Sequence, residues 1–279
     1  MLYVTIKLGA ERGSKAWPSQ GTRVAHRYRQ ILFAALVAWS TWLWSCSVGS
    51  GTTALTPTTP PVFVSETHSA TDGVGADFNT STLSLNITGP NPLLLVAWHS
   101  EFDNNMPDSW NVTCNGVPGT EIVDTNGYTG GAGNRRFRIY YWRSPAPGTS
   151  TIVVSNPGKE PNELAVSAVL FNHVSVNDPR PLPVLDVSTS DRTGESETIS
   201  TIASDLVVHV IADAFFTRGT LGRGETSRSI ANDDKHTEDG DASLWVSTKP
   251  GGPARTNVSS SGWGRRVING VAITLHGAS

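Results

Sequence analysis

Short apolar runs, separated by polar turn residues, recur along the chain from residue 62 onward. No stretch shows a sustained 3.6-residue period, which an amphipathic helix would require. NG, DG, GG and PAPG sequences lie between the runs, where tight turns between strands need glycine or proline. Parallel strands require long crossover segments, and the runs are too close together for these. The pattern therefore predicts an all-β fold with little helix, built as an antiparallel β-sandwich or jelly roll.

The apolar runs are of two kinds, and the difference predicts where each strand lies. "PLLLVAW" (92–98), "LAVSAVLF" (164–171) and "LVVHVIADAFF" (206–216) are apolar at nearly every position, so we expect central strands that are buried on both faces. "STLSLNIT" (81–88) and "RFRIYYW" (136–142) alternate between polar and apolar residues. We therefore expect each of these two strands to turn one face to solvent.

An apolar run near the N-terminus indicates export. "ILFAALVAWSTWLW" (31–44) follows several basic residues and is short for a membrane span, but it has the length of a signal-peptide core. It ends in "LWSC", which resembles a bacterial lipoprotein box with Cys46 as the lipidated residue. Ordinary cleavage and an uncut membrane anchor are the alternatives, so the expected membrane contact is through a leader or a lipid anchor only. We expect an extracellular or cell-surface protein.

The chain divides into three parts on composition. Residues 1–46 form the expected leader, residues 47–61 form a Ser/Thr/Pro-rich tether with little to bury, and residues 62–279 are predicted to fold as a single β-sandwich domain. Charged residues make up 16% of the chain and the formal net charge is −3. There is no broad basic field, so nucleic acid is not an expected partner.

The cysteine content is consistent with a domain that is held together by packing. Cys46 and Cys114 are the two cysteines of the chain, and removal or lipidation of Cys46 leaves Cys114 alone. In "SWNVTCN" the alternation places Trp110, Val112 and Cys114 on one side of a strand. We expect a buried structural thiol at Cys114 rather than a nucleophile.

The order of several runs resembles bacterial secreted or phage-borne β-sandwich domains of the immunoglobulin-like or jelly-roll kind. The resemblance spans residues 80 to 275 and is carried by "NPLLLVAW", a Trp-containing strand ending in NG, an aromatic strand, "PAPGTSTIVVS", "AVSAVLFNHV" and "DLVVHVIAD". It implies an extracellular, adhesive or glycan-binding context and carries over no catalytic residue.

The segment "RRFRIYYWR" supplies the first candidate binding surface. Alternate residues of a strand share a face. One side is therefore expected to carry Arg136, Arg138, Tyr140 and Trp142, and the other side Arg135, Phe137, Ile139 and Tyr141. Aromatic rings stack on sugar rings, and guanidinium groups bind hydroxyls and carboxylates. A glycan-binding face is one interpretation, and an ordinary solvated strand face is the other.

Loops provide further candidates. Trp263 lies in "SSSGWGRR", where the surrounding small residues leave a bulky ring with little local cover, so we expect it to contact a glycan. The glycine-rich segments 127–134 and 218–227 are expected to be loops around a binding site.

Histidines near the ends of apolar runs support an enzymatic alternative. His99, His173 and His209 would share a metal ion if their strands were neighbours, with Glu101 or Asp213 as a further ligand or base. A lyase without metal would use His99 and Tyr140 as base and acid, with Arg138 to neutralise the carboxylate of a uronate. Either would make the protein a polysaccharide-acting enzyme.

An acidic segment, "NDDKHTEDGD", suggests calcium. Hard oxygen ligands clustered in a loop suit this ion, and the candidate ligands are Asp233, Asp234, Glu238, Asp239 and Asp241. A solvated charged loop is the other interpretation. Taken together, these patterns favour an extracellular carbohydrate-binding or surface-adhesion module, with a polysaccharide-acting enzyme or a structural surface or virion component as alternatives.

Overall fold

A computed structural model describes most of the chain beyond the tether: residues 58–72, 80–102, 109–126, 134–157, 163–175, 184–188, 194–213, 219–232, 242–261 and 267–278. Regular structure in these ranges is entirely β, which confirms the predicted all-β class. The strands are β1 Val62–Asp72, β2 Thr80–Ile87, β3 Leu93–Phe102, β4 Asn111–Cys114, β5 Val117–Pro118, β6 Thr120–Asn126, β7 Asn134–Arg143, β8 Gly148–Ser155, β9 Glu163–Asn172, β10 Val184–Ser188, β11 Gly194–Ser200, β12 Leu206–Asp213, β13 Thr220–Leu221, β14 Thr226–Ala231, β15 Ser243–Pro250, β16 Arg255–Ser261 and β17 Val267–Leu275.

These strands form four antiparallel sheets, which we number by their place in the stack. Sheet I has the order β2-β8-β4-β5, sheet II has the order β1-β9-β3-β7-β6, sheet III has the order β10-β17-β12-β15-β14 and sheet IV has the order β11-β16-β13. Neighbouring strands within each sheet pair in antiparallel register throughout.

The buried clusters define how the sheets stack. One cluster joins sheet I to one face of sheet II, through residues such as Leu85, Ile152 and Leu94. A second cluster joins the other face of sheet II to sheet III, through residues such as Leu95 and Val210. Sheet IV packs on the far face of sheet III, where its Ile199 and Val258 join Val207 and Ala272. The order of layers is therefore I, II, III, IV, with two more layers than a simple sandwich.

The three all-apolar runs lie where their composition predicts. β3 is flanked by β7 and β9, β9 by β1 and β3, and β12 by β15 and β17. Every residue of β12 is buried, as is every residue of β9 after its first. This is expected because sheets II and III are inner layers, so that both faces of these strands meet another sheet.

β2 also follows its pattern, with exposed and buried residues in strict alternation. Cys114 is free and buried, and it lies beside Trp110 and Val112 in the core between sheets I and II, as predicted. Burial is the main cause that raises the pKa of its thiol above the ordinary range, and a hydrogen bond with Ser150 partly opposes this rise.

The glycine-rich segment 218–227 differs from the predicted loop. It contains β13 of sheet IV and the start of β14 of sheet III, so the chain crosses from one sheet to the next at this point. Gly224 has a φ of +83°, which favours glycine, and a Cβ on Gly222 would meet Ser259 Oγ at 2.3 Å. The glycines thus permit a tight crossing between two sheets.

Residues Leu55–Ser279 form one compact unit. No helix in the described part of the chain is long and apolar enough to cross a membrane. The leader and Cys46 lie outside the described residues, so export and lipidation stay predictions.

Candidate functional site

The expected Arg/aromatic face on β7 is buried, and the prediction that it faces a ligand or solvent is wrong. Arg136 is 3% exposed, Arg138 and Tyr140 are each 7% exposed, and Trp142 is 8% exposed. Phe137 and Ile139, on the other side of the strand, are buried as expected. The physical reason is the extra layer: sheet I covers the face of sheet II that a two-layered sandwich would leave in solvent.

Under sheet I these side chains belong to an aromatic core. Tyr140 and Trp142 pack in the same cluster as Trp98 and Trp110, whose stacked rings lie 4.1 Å apart between centroids. The indole Nε1–H of Trp142 donates to the backbone oxygen of Val117 at 3.0 Å. The rings are thus occupied by the protein itself and cannot serve as a sugar platform without unfolding.

Polar atoms on this face are paired at the edge of sheet II. Glu121 on the edge strand β6 accepts hydrogen bonds at Oε2 from Arg138 (3.1 Å) and from the Tyr140 hydroxyl (2.6 Å). The Arg138 guanidinium also lies 5.9 Å from the centroid of the Trp98 ring. The arginine is therefore held by a carboxylate and an aromatic ring, which is how buried guanidinium groups are usually accommodated.

The Tyr140 phenol is a poor acid or base at neutral pH. Burial, together with the hydrogen bond to Glu121, raises its pKa to about 12, although Arg138 opposes the shift. His99, the predicted partner for lyase chemistry, lies on the opposite face of sheet II, because it alternates with Trp98 along β3. His99 is thus separated by the sheet from Tyr140 and Arg138, the other two residues that this alternative needs.

The three candidate histidines do not converge, so the prediction of a shared metal is wrong for them. His99 shares its face of β3 with Leu93 and Leu95, which pack between sheets II and III. His209 shares its face of β12 with Val207 and Ile211, which pack between sheets III and IV. His173 follows β9 in the left-handed region, with a φ of +58°.

Sheet III therefore lies between the first two imidazoles. Among the described residues, no group of three or more His, Cys, Asp or Glu side chains is placed to hold a metal ion. The side chain of Glu101 lies outside the described residues.

His209 instead takes part in a polar cluster between sheets III and IV. Glu225, whose side chain is fully buried, accepts hydrogen bonds at Oε2 from Ser247 Oγ (2.8 Å) and from His209 Nδ1 (3.1 Å). Its Oε1 accepts from the Ser259 backbone amide at 2.7 Å. Burial alone would raise the pKa of Glu225, but His209 and the other donors lower it below its ordinary value.

This cluster contains the residue types of a serine hydrolase but has a different order. In a catalytic triad the imidazole lies between the hydroxyl and the carboxylate, so that it can take the hydroxyl proton. Here the carboxylate of Glu225 lies between Ser247 and His209. The arrangement joins β12 and β15 of sheet III to β16 of sheet IV, and it acts as a structural connection.

A second group of hydrogen-bonded polar side chains connects sheets II and III. Ser167 on β9 donates to Ser229 on β14 at 2.7 Å, and Ser229 donates to Glu66 on β1 at 3.0 Å. The same oxygen of Glu66 lies 2.9 Å from His68 Nδ1. Sequence reasoning missed both clusters, because Glu66, Glu225 and their partners are far apart in the chain and meet only through sheet stacking.

The outward face of sheet I is a polar surface that sequence reasoning missed. Its side chains on β2, β4 and β8 are all Ser, Thr or Asn except for Val153, and none of them is charged. We call this set face I: Thr80, Thr82, Ser84, Asn86, Asn111, Thr113, Thr149, Thr151, Val153 and Ser155. Its signal in the sequence was the alternation of hydroxyl residues with leucine in "TSTLSLNI".

The remaining candidates lie outside the described residues, but the strand ends beside them are described. Trp263, the acidic segment with Asp233, Asp234, Glu238, Asp239 and Asp241, and most of the segment 127–134 are in this group. Phe102 pairs with Asn134, and Asp213 pairs with Ser243 and Val267. The amide of Ala242 donates to Glu163, so the flanking strand ends of sheets II and III lie at one end of the stack.

Comparison of the chain with protein-family models, with curated proteins and with solved structures finds no match.

Proposed function

We propose that this protein is an extracellular carbohydrate-binding or surface-adhesion module, and that face I is its principal contact surface. The observation that carries the proposal is the composition of face I, where hydroxyl and amide side chains lie side by side on three paired strands without a single charge. Charged residues make up 16% of the chain, so an outward face of ten residues would be expected to include one or two of them.

The chemistry of face I matches that of sugar hydroxyl groups. Ser and Thr hydroxyls donate one hydrogen bond and accept others, and Asn amides do both, so the face can pair with a partner whose groups are also neutral donors and acceptors. From Thr80 to Asn86 the face extends about 20 Å at the usual rise per residue, which gives room for several sugar rings.

The titratable groups inside the stack support a binding role. Glu225, His209, Arg138 and Tyr140 are buried and bonded to one another or to neighbouring residues within the protein. They stabilise contacts between strands and sheets, whereas the side chains of face I lie on the outer side of sheet I.

Two earlier candidates remain part of the proposal. Trp263 is a predicted aromatic contact, and calcium bound by the acidic segment around Asp239 would stiffen that segment. Export through the leader, with or without lipidation at Cys46, would place the module outside the cell.

A glycan array with the full chain tests the proposal. The face I variant combines Thr82→Val, Ser84→Ala and Thr151→Val, which remove three hydroxyls while keeping the strand geometry. Three neutral hydrogen bonds at about 0.5–1 kcal/mol each correspond to a loss of roughly 10- to 100-fold in affinity. Thr120→Val is the matched control, because Thr120 is exposed on β6 of the inner sheet II.

We expect the wild type and the control to bind the same glycans, and the face I variant to bind them more weakly. Binding that is kept by the face I variant but lost in Trp263→Ala would move the contact to the loops. A wild type that binds no glycan would contradict the proposal and favour a structural surface component.

A further inference from the structure

Sheet IV presents a second outward face that resembles face I. Its outward side chains on β11, β13 and β16 are again Ser, Thr and Asn, with Arg255 as the single charged residue at one end. We call this set face IV: Ser196, Thr198, Ser200, Thr220, Arg255, Asn257, Ser259 and Ser261. Two separate sheets of the molecule thus display the same chemistry to solvent.

The side chains at the centre of face IV are ordered by hydrogen bonds. Asn257 Nδ2 donates to Ser196 Oγ at 2.9 Å and to Thr198 Oγ1 at 3.2 Å. The backbone oxygen of Asn257 accepts a hydrogen bond from Lys249 Nζ at 2.6 Å, so the ammonium group of this lysine is bound to the backbone. Because these hydroxyls are already held in place, a partner that binds them loses less conformational entropy.

The two faces lie on opposite sides of the protein. Sheets I and IV are the first and last layers of the stack, and sheets II and III separate them. Stacked sheets are about 10 Å apart, so three interlayer spacings place sheets I and IV about 30 Å from each other, and their outward faces are farther apart. A short oligosaccharide cannot reach both faces of the same molecule at once.

We propose that the protein carries two surfaces for neutral polysaccharide, face I and face IV, and that it bridges separate polysaccharide chains. This inference rests on the proposed glycan-binding function and adds the class of glycan and the mode of action. Face I carries no charge and face IV carries only Arg255 at one end, so nearly all of their groups are neutral donors and acceptors, which favour uncharged chains. Binding at two opposed faces joins chains into a network, and each contact can be weak because many act together along a polymer.

The experiment measures binding and cross-linking separately. The full chain is mixed with soluble neutral polysaccharides (β-glucan, mannan, xyloglucan and dextran) and with acidic polygalacturonate. Affinity electrophoresis reports binding, and light scattering reports cross-linking. The face IV variant combines Ser196→Ala, Thr198→Val and Asn257→Ala; it is compared with the face I variant, the variant altered on both faces and the Thr120→Val control.

We expect the wild type and the control to bind at least one neutral polysaccharide and to raise its light scattering. Each single-face variant should still be retarded in the gel but should lose at least most of the scattering increase, and the variant altered on both faces should lose binding. Excess short oligosaccharide should abolish the scattering of the wild type.

Several outcomes would overturn the inference while leaving the proposed function intact. These are binding by the wild type without a scattering increase, cross-linking that persists in the face IV variant, or retention by polygalacturonate alone. Scattering in the absence of any polysaccharide would mean that the faces join copies of the protein, and it would also overturn the inference. No retention by any polysaccharide would contradict both proposals.

Discussion

The hydroxyl of Tyr140 lies 2.6 Å from Oε2 of Glu121, and it donates a hydrogen bond to that carboxylate. Tyr140 is buried under sheet I, whereas the side chain of Glu121 is partly exposed on the edge strand. The bond therefore joins the aromatic core between sheets I and II to the surface of sheet II. It also explains why Arg138, which shares the same acceptor oxygen, can be buried on this face.

The first prediction concerns the ionisation of Tyr140. Burial and the bond to Glu121 raise its pKa to about 12, above the value of about 10 for an unfolded chain. The neutral phenol therefore stabilises the fold fully below about pH 10, and this contribution is lost as the pH rises toward 12. A spectrophotometric titration should show one tyrosine of the five ionising last, and Tyr140→Phe should remove that step. Loss of a different step would contradict the assignment.

The second prediction concerns Glu225. Its pKa is lowered in the folded state, so the ionised carboxylate stabilises the protein above the unfolded pKa near 4.3, and the contribution is lost as the pH falls through the lower folded value. Glu225→Gln removes one partner of a buried pair and should cost about 3 kcal/mol at neutral pH. Urea unfolding should show a smaller difference at about pH 3. Equal stability of variant and wild type at neutral pH would contradict the structural role of the cluster.

The third prediction concerns Trp142. Because its ring is buried and its Nε1–H is bonded to Val117, Trp142→Ala should lower the free energy of unfolding by about 3–5 kcal/mol. The measurement is denaturant unfolding, with Thr120→Ala as an exposed control on the adjacent strand. A loss of glycan binding without a loss of stability would restore Trp142 as a surface contact.

The sequence predicted the class of fold and the placement of its central strands. β3, β9 and β12 are apolar at almost every position, and a strand with no polar face must be covered on both sides. The alternation in β2 was equally informative, since a strand in an outer layer has one polar face toward solvent and one apolar face toward the next sheet. These features depend on residues that are close in the chain.

The number of layers was not predictable in the same way. In β7, arginine and aromatic side chains alternate with apolar ones. This pattern is typical of a strand with one solvent-exposed face. Its polar-looking face is nevertheless buried, because Glu121 pairs with Arg138 and Tyr140 and because sheet I lies above. Both facts depend on which strands meet in space, and local periodicity contains no information about them.

The polar clusters could not be predicted from local sequence patterns either. The Glu225 cluster needs residues from three strands and from a crossing between sheets, and no motif of fixed spacing identifies it. Face I could have been found, because its hydroxyl residues occupy alternate positions of β2 and β8. Recognising it required attention to the absence of charge rather than to the presence of aromatic rings.

The position of β17 has a consequence for biosynthesis. β12 is hydrogen-bonded on one side to β15 and on the other to β17, so an inner strand of sheet III lacks one neighbour until residues 267–275 have left the ribosome. Pairings between such distant segments slow folding, since a long loop must close before any contact is gained. Until then the apolar edge of β12 is open to pairing with other chains. A carrier or chaperone that keeps the nascent polypeptide extended would therefore protect it from aggregation.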